Sequence, residues 1–243
     1  YAGVTNKLLA KKAEKICVAY EGMERFFPKE KIIFTGNPVR KDLLNALGER
    51  EEGIVFYGLN PKKKTVLVTG GSLGAGSINK AMVRWLERIA GWEDVQVIWQ
   101  CGSYYHKQLE AGLKERLPEN VMPFLKRMDL AYACADLVVA RAGAGTISEL
   151  CLLGKAVVLV PSPNVAEDHQ TKNAMALVHK QAAVMVKDNE VVERLGDVME
   201  DLLKNDTERK VLSDHILALA MKDSDEIIAN EILKIINSGQ AKI

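Results

Sequence analysis

The sequence predicts an α/β fold, a doubly wound parallel sheet with helices on both faces, and two observations carry that prediction. From Lys64 onward, short runs rich in Val, Leu and Ile alternate with amphipathic segments of helix length. Such βα alternation implies right-handed crossovers and a parallel sheet covered on both sides. Two of the strand-like runs also end in glycine turns that lead straight into a helix, Thr65-Val-Leu-Val-Thr-Gly-Gly-Ser-Leu-Gly-Ala75 and Asp136-Leu-Val-Val-Ala-Arg-Ala-Gly-Ala-Gly-Thr-Ile-Ser-Glu149.

Taken in order, residues 5–15 read as a helix capped by Thr5 or Asn6, with Leu8, Leu9, Ala13 and Ile16 on an apolar face and Lys7, Lys11 and Lys15 on the other. A basic stripe of this kind can meet anionic lipid, although a solvated helix face is its commoner meaning. Residues 16–20 and 31–35 read as strands, with Phe26-Phe27-Pro28 packing the loop between them. The run Gly36-Asn-Pro-Val-Arg40 punctuates sharply, because Pro38 holds Asn37 extended, and marks a domain boundary. Strands are then expected at 65–70, 95–100, 120–123, 136–140, 156–160 and 183–186, interleaved with helices at 75–90, 103–116, 127–135, 145–153 and 168–180. Three more amphipathic helices cover 191–203, 207–221 and 225–236. There is no internal repeat or low-complexity tract.

Composition narrows the function classes. With 243 residues, 48% hydrophobic and 27% charged, the chain can bury a sizeable core in one or two domains. A net charge of +1 supplies no field for nucleic acid, and no aromatic and basic residues cluster for base stacking. Cys17, Cys101, Cys134 and Cys151 form no C-x-x-C pair and read as buried thiols of a reducing cytoplasm. No apolar run is long enough to cross a membrane as a helix, and none resembles a signal peptide. The chain begins at Tyr1 rather than Met, which reads as a piece of a longer polypeptide.

The two glycine turns carry the chemistry. At Gly143 and Gly145 a backbone free of Cβ atoms can adopt φ > 0 and approach a ligand, and the helix that follows presents unpaired N–H groups at its positive dipole end. Glu149, one turn into that helix, can accept two hydrogen bonds from a ribose diol. Glycine turns of this kind also occur in α/β proteins that bind nothing there, with a first-turn carboxylate favoured by the dipole alone. The upstream turn, with Ser72 offering a hydroxyl, shifts the balance. Its Gly70-Gly71-x-x-Gly74 spacing is neither G-x-G-x-x-G nor a P-loop, which disfavours dinucleotide cofactors and NTP hydrolysis. Two such turns at one carboxyl edge suggest a diphosphate-linked ligand. The loop at 161–170 lies after the next strand, so His169 and Gln170 can reach sugar hydroxyls, although a histidine beside a helix cap often has no ligand. The remaining histidines have no paired ligand spacing, so no metal site and no cofactor is expected.

In this order and spacing, Thr5-Asn-Lys, Gly36-Asn-Pro-Val-Arg40, Gly70-Gly-Ser-x-Gly-Ala75, Arg141-x-Gly-Ala-x-Thr-x-Ser-Glu149 and Asp168-His-Gln-x-x-Asn-Ala174 resemble the MurG family over almost the whole chain. The likeness matches the C-terminal two-thirds of that family. The resemblance implies the GT-B glycosyltransferase fold, with a Rossmann-like donor-binding domain at 39–222. It makes residues 1–38 the tail of a truncated acceptor-binding domain, and 223–243 a C-terminal helix crossing back to it. It implies transfer of GlcNAc from UDP-GlcNAc to the MurNAc 4-hydroxyl of lipid I, at the cytoplasmic face of the bacterial plasma membrane.

By the same resemblance, Glu149 takes the ribose hydroxyls and Ser72 the diphosphate, while the backbone at Ala144, Gly145 and Thr146 meets phosphate and sugar. Arg40 lies against the nucleotide, Gln170 with His169 holds the GlcNAc hydroxyls, and the backbone N–H and C=O of Leu125 read the uracil edge. No catalytic residue falls in this chain, because the family's base lies in the N-terminal domain. His169 and Thr171 bracket one glutamine where some members have two, and Gly145 replaces a commoner larger residue. Another UDP-sugar transferase of this fold, a UDP-GlcNAc 2-epimerase and a non-catalytic donor-binding subunit stay open as alternatives.

Overall fold

The computed structural model describes residues 2–45, 48–89, 93–165 and 168–239. The chain divides into two compact units, one made of Tyr1–Arg40 with Ala220–Ile243 and the other of Lys41–Leu219.

The first unit begins with helix α1 (Val4–Ala10) and a parallel pair of short strands, β1 (Ile16–Val18) and β2 (Ile32–Phe34), in the register Ile16↔Ile32 and Val18↔Phe34. Its small core gathers Ala2, Ala10, Val18, Met23 and Phe27. Helix α1 is shorter than its apolar spacing suggested. It starts from Gly3, whose carbonyl accepts the Lys7 N–H, rather than from a Thr5 or Asn6 cap, and it buries Ala10 while Leu8 and Leu9 stay exposed. Cys17 also departs from expectation. Strand alternation turns Val18 inward, which leaves the Cys17 thiol exposed, whereas Cys101, Cys134 and Cys151 are buried.

In the second unit, residues 41–63 were assigned no element from sequence yet hold two helices, α2 (Lys41–Asn45) and α3 (Arg50–Tyr57). They are followed by β3 (Lys64–Thr69), α4 (Gly76–Arg88), β4 (Val95–Gln100), α5 (Ser103–Leu113), β5 (Val121–Met122), α6 (Met128–Cys134) and β6 (Leu137–Ala140). Then come α7 (Ala144–Leu153), β7 (Val157–Leu159), α8 (His169–Val178), β8 (Val184–Met185), α9 (Val191–Lys204) and α10 (Asp206–Leu217). Helix α11 (Ser224–Asn237) returns the chain to the first unit, where Met221 and Ser224 lie so near Gly36 that a Cβ there would stand 2.5 Å from Ser224 Oγ.

The six strands of the second unit are all parallel, in the order β5-β4-β3-β6-β7-β8. Counted within the unit, this is the 3-2-1-4-5-6 order of doubly wound nucleotide-binding sheets, whose reversal point lies between the first and fourth strands. Here those are β3 and β6, paired with Thr69 opposite Ala140. One sheet face packs Val66, Val68, Trp99 and Val139 against Met82 and Trp85 of α4 and Leu195 and Met199 of α9. The alternate residues Leu67, Ile98, Val138 and Leu159 are equally buried, so both faces are covered, which explains why these strands read as continuous apolar runs. Helix α3 packs tightly on α6, where a Cβ at Gly53 would lie 2.4 Å from Cys134 Sγ. Arg50 Nη1 donates to the Cys134 carbonyl at 2.6 Å, and the Tyr57 hydroxyl donates to the Arg127 carbonyl at 2.8 Å.

Candidate functional site

Both glycine turns leave the carboxyl edge of the sheet from adjacent strands, at its reversal point. The first connects β3 to α4. Gly71 (φ +84°) and Gly74 (φ +75°) use the left-handed region, and the Gly74 N–H donates to the Gly71 carbonyl at 3.0 Å to close the turn. A Cβ on Gly74 would stand 1.9 Å from the Cys101 carbonyl oxygen, so this turn is seated directly on the end of β4. Buried Asn79 of α4 fastens the same contact, since its Nδ2 donates to the Cys101 carbonyl at 2.9 Å and its Oδ1 accepts Trp99 Nε1 at 3.1 Å. Ser72 sits exposed at the tip.

The second turn connects β6 to α7 and works differently. Gly143 is the N-cap with φ −68° and ψ 145°, and Gly145 lies inside the helix, so neither needs the φ > 0 freedom expected of them. The chain passes directly from extended strand into helix, and no left-handed residue is required. Their other property holds: a Cβ on Gly145 would meet nothing within 4 Å, and one on Gly143 only Thr146 Oγ1 at 3.8 Å. Ala144 and Gly145 are exposed, and no side chain caps the helix start, so its first N–H groups can serve an anion. Glu149 is partly buried, and its Oε2 accepts the hydroxyl of Tyr132, a fully buried residue of α6, at 3.1 Å.

Side chains to which the sequence reading assigned no site role, Arg141 and Asn173, frame both turns. Arg141 donates through Nη1 to the Val160 and Pro161 carbonyls at 3.1 Å each and to Asp188 Oδ1 at 2.5 Å, and through Nη2 to Ser77 Oγ of α4 at 3.0 Å. Asn173 of α8 donates to the Ala142 carbonyl at 3.1 Å. Helix α8 opens at Asp168 in the left-handed region (φ +53°), where the Thr171 hydroxyl donates to its carboxylate at 2.6 Å. His169 is then the first helical residue, and Gln170 Oε1 accepts the Ser162 N–H at 2.9 Å, tying the helix start to the chain leaving β7. Ala166 and Glu167, within the loop singled out from sequence, lie outside the described residues.

At Leu125 the backbone amide has a partner within the protein. Its N–H donates to Oε1 of Gln100, a buried residue at the end of β4, at 2.8 Å, while Gln100 Nε2 donates to the Gly71 carbonyl at 2.9 Å. The amide expected to meet a base edge is therefore engaged inside the protein, as a buried donor must be. Gln100 thereby links the Leu125 segment to the first glycine turn. Arg40 is exposed and is the last residue of the first unit's N-terminal segment. Among the described residues, no three of His, Cys, Asp and Glu gather as metal ligands, and no helix is long and apolar enough to cross a membrane.

A parallel 3-2-1-4-5-6 sheet with two glycine turns at its reversal point is a doubly wound, Rossmann-like architecture, the class to which GT-B glycosyltransferase domains belong. Residues 65–228 match the model of the glycosyltransferase family 28 C-terminal domain, and the chain belongs to that family. It is 57% identical over 239 residues to a protein of Parabacteroides distasonis named UDP-N-acetylglucosamine--N-acetylmuramyl-(pentapeptide) pyrophosphoryl-undecaprenol N-acetylglucosamine transferase. That match covers 98% of this chain and 65% of the relative. A Bacteroides fragilis protein of the same name is 56% identical, with 97% and 63% covered. The chain thus spans a little under two thirds of the length of these curated relatives. Among solved structures, Acinetobacter baumannii MurG superposes with a TM-score of 0.73 at 28% identity, covering 96% of this chain and 64% of that one. A UDP-GlcNAc 2-epimerase from Neisseria meningitidis shares the fold, with a TM-score of 0.69 at 14% identity.

Proposed function

We propose that this chain is the donor-binding part of an inverting glycosyltransferase that moves GlcNAc from UDP-GlcNAc to the MurNAc 4-hydroxyl of lipid I, giving lipid II. The observation that carries the reading is the pairing of two phosphate-seat turns at the switch point with Glu149 held by Tyr132, in a chain 57% identical to a transferase of that name. The diphosphate lies across the turns, with Ser72 and the backbone of Ala144, Gly145 and Thr146 as donors. Glu149 takes the ribose hydroxyls, and His169 and Gln170 hold the sugar. Arg40 meets the nucleotide, and the Leu125 carbonyl accepts the uracil N3–H.

In the displacement, the acceptor 4-hydroxyl attacks C1 of GlcNAc from the face opposite the leaving UDP, a base takes the hydroxyl proton, and the C1–O bond to the diphosphate breaks. Negative charge gathers on the departing diphosphate in that transition state. Prepositioned donors at the two helix starts stabilise it there more than in the ground state, which lowers the barrier. We assign the base, the lipid-acceptor surface and the contact with the cytoplasmic membrane face to an N-terminal domain outside residues 1–243.

Calorimetry with UDP-GlcNAc, UDP-Glc, UDP and CDP tests the donor assignment. UDP-GlcNAc and UDP should bind, UDP-Glc more weakly, and CDP clearly more weakly than UDP. Indifference to the base would remove the uracil assignment. Incubation with UDP-GlcNAc and no acceptor separates the epimerase reading, since a transferase leaves the donor sugar unchanged.

A further inference from the structure

Asp188, in the loop after β8, sets a carboxylate against the start of α4. Its Oδ1 accepts the hydroxyl of Ser77, the second residue of that helix, at 2.5 Å. Arg141 closes the cycle, with Nη1 on the same carboxylate oxygen at 2.5 Å and Nη2 on Ser77 Oγ at 3.0 Å. The two charged side chains are mostly withdrawn from water, at 15% and 22% exposure. The guanidinium is therefore occupied by protein acceptors, and its charge offsets a carboxylate that stands beside one phosphate-seat helix and is bonded to the turn that opens the other. Without that partner, the carboxylate would repel an anion in a setting where solvent screens poorly.

We propose that Arg141 is a positioning residue whose charge keeps Asp188 from opposing a diphosphate, so that the Arg141–Asp188–Ser77 cycle sets the anion affinity of both turns together. This inference rests on the reading of the turns as a diphosphate seat. A purely mechanical clamp would behave differently, since its loss would weaken every ligand of the site and would not be repaired by removing the carboxylate as well.

The test is calorimetry of UDP and uridine on the full chain and on Arg141→Gln, Arg141→Lys, Asp188→Asn and the double variant Arg141→Gln/Asp188→Asn. Arg141→Gln should weaken UDP about tenfold or more while changing uridine less than about twofold, and the double variant should return UDP to within about threefold of the parent. Arg141→Lys, which keeps the charge, should stay within about threefold, and Asp188→Asn should bind UDP at least as well as the parent. Unchanged UDP affinity in Arg141→Gln, a parallel loss of uridine, or a double variant no better than the single one would each overturn the proposal. If Arg141→Gln does not fold, the other two single variants decide it, since a loss of UDP affinity in either contradicts the counter-charge role. A parent chain that binds uridine but gains nothing from the diphosphate defeats the underlying reading instead.

Discussion

Glu149 is oriented by its own fold, because the buried Tyr132 hydroxyl donates to one of its carboxylate oxygens. Glu149→Ala should weaken UDP by about 1.5–3 kcal/mol, the usual worth of a hydrogen bond to a charged group. Tyr132→Phe should cost less, about 0.5–1.5 kcal/mol, since the carboxylate stays and only its orientation loosens. Calorimetry checks both, and equal UDP affinity in parent and Glu149→Ala would end the ribose assignment. A second residue-scale expectation concerns acid. The Arg127 guanidinium, on both oxygens of Asp129, holds that carboxyl below its ordinary value against the opposing effect of burial. A depressed folded pKa stabilises the fold above the unfolded value of about 4, and that stability is lost as pH falls through the lower folded value. Asp129→Asn should therefore be less stable than the parent at pH 7, with the gap narrowing in urea titrations near pH 3.

At the scale of elements, the two glycine turns respond oppositely to a methyl group. Gly74 combines φ +75° with a Cβ position 1.9 Å from the Cys101 carbonyl oxygen, so Gly74→Ala must displace the turn from β4. A loss of more than about 2 kcal/mol in urea unfolding is expected. Gly145 is helical and open to space, so Gly145→Ala should leave stability unchanged or raise it by up to about 1 kcal/mol. Its methyl group would nevertheless stand where a phosphate or sugar approaches, so UDP-GlcNAc affinity should fall. A variant that gains stability and keeps full affinity would show that no ligand comes close to that helix start.

At the scale of the molecule, Lys41–Leu219 owns a complete sheet with both faces covered, whereas the first unit has a two-stranded sheet and a small core. A sheet of that kind is marginal alone, while the larger unit has the size and burial of an independent domain. Residues 41–219 expressed alone should therefore melt cooperatively and bind UDP within a few-fold of the full chain, apart from any contribution of Arg40. Transfer of GlcNAc to a lipid I analogue by residues 1–243 should be undetectable, and robust transfer would overturn the assignment of the base to another domain.

The sequence alone was sufficient for the layer architecture, for strand and helix positions to within a few residues from Lys64 on, and for where the two turns lie, because parallel strands buried on both faces leave continuous apolar runs; that glycine is sterically required at Gly74 but not at Gly143 or Gly145 was decided by tertiary contacts. Periodicity says nothing where burial depends on a particular neighbour. Helix α3 was illegible because its weakly amphipathic run is interrupted by Gly53, a residue that only the closeness of α6 explains. The long-range polar partners were equally out of reach: Tyr132 for Glu149, Gln100 for Leu125, Asn173 for Ala142, and Ser77 with Asp188 for Arg141. Each joins residues from different crossovers, and a hydrogen bond has no local signature, since its donor and acceptor are ordinary polar residues until strand order brings them to hydrogen-bonding distance, about 3 Å. The strand order was therefore the decision that tertiary structure made. By placing β3 beside β6 it turned two separate glycine runs into one edge.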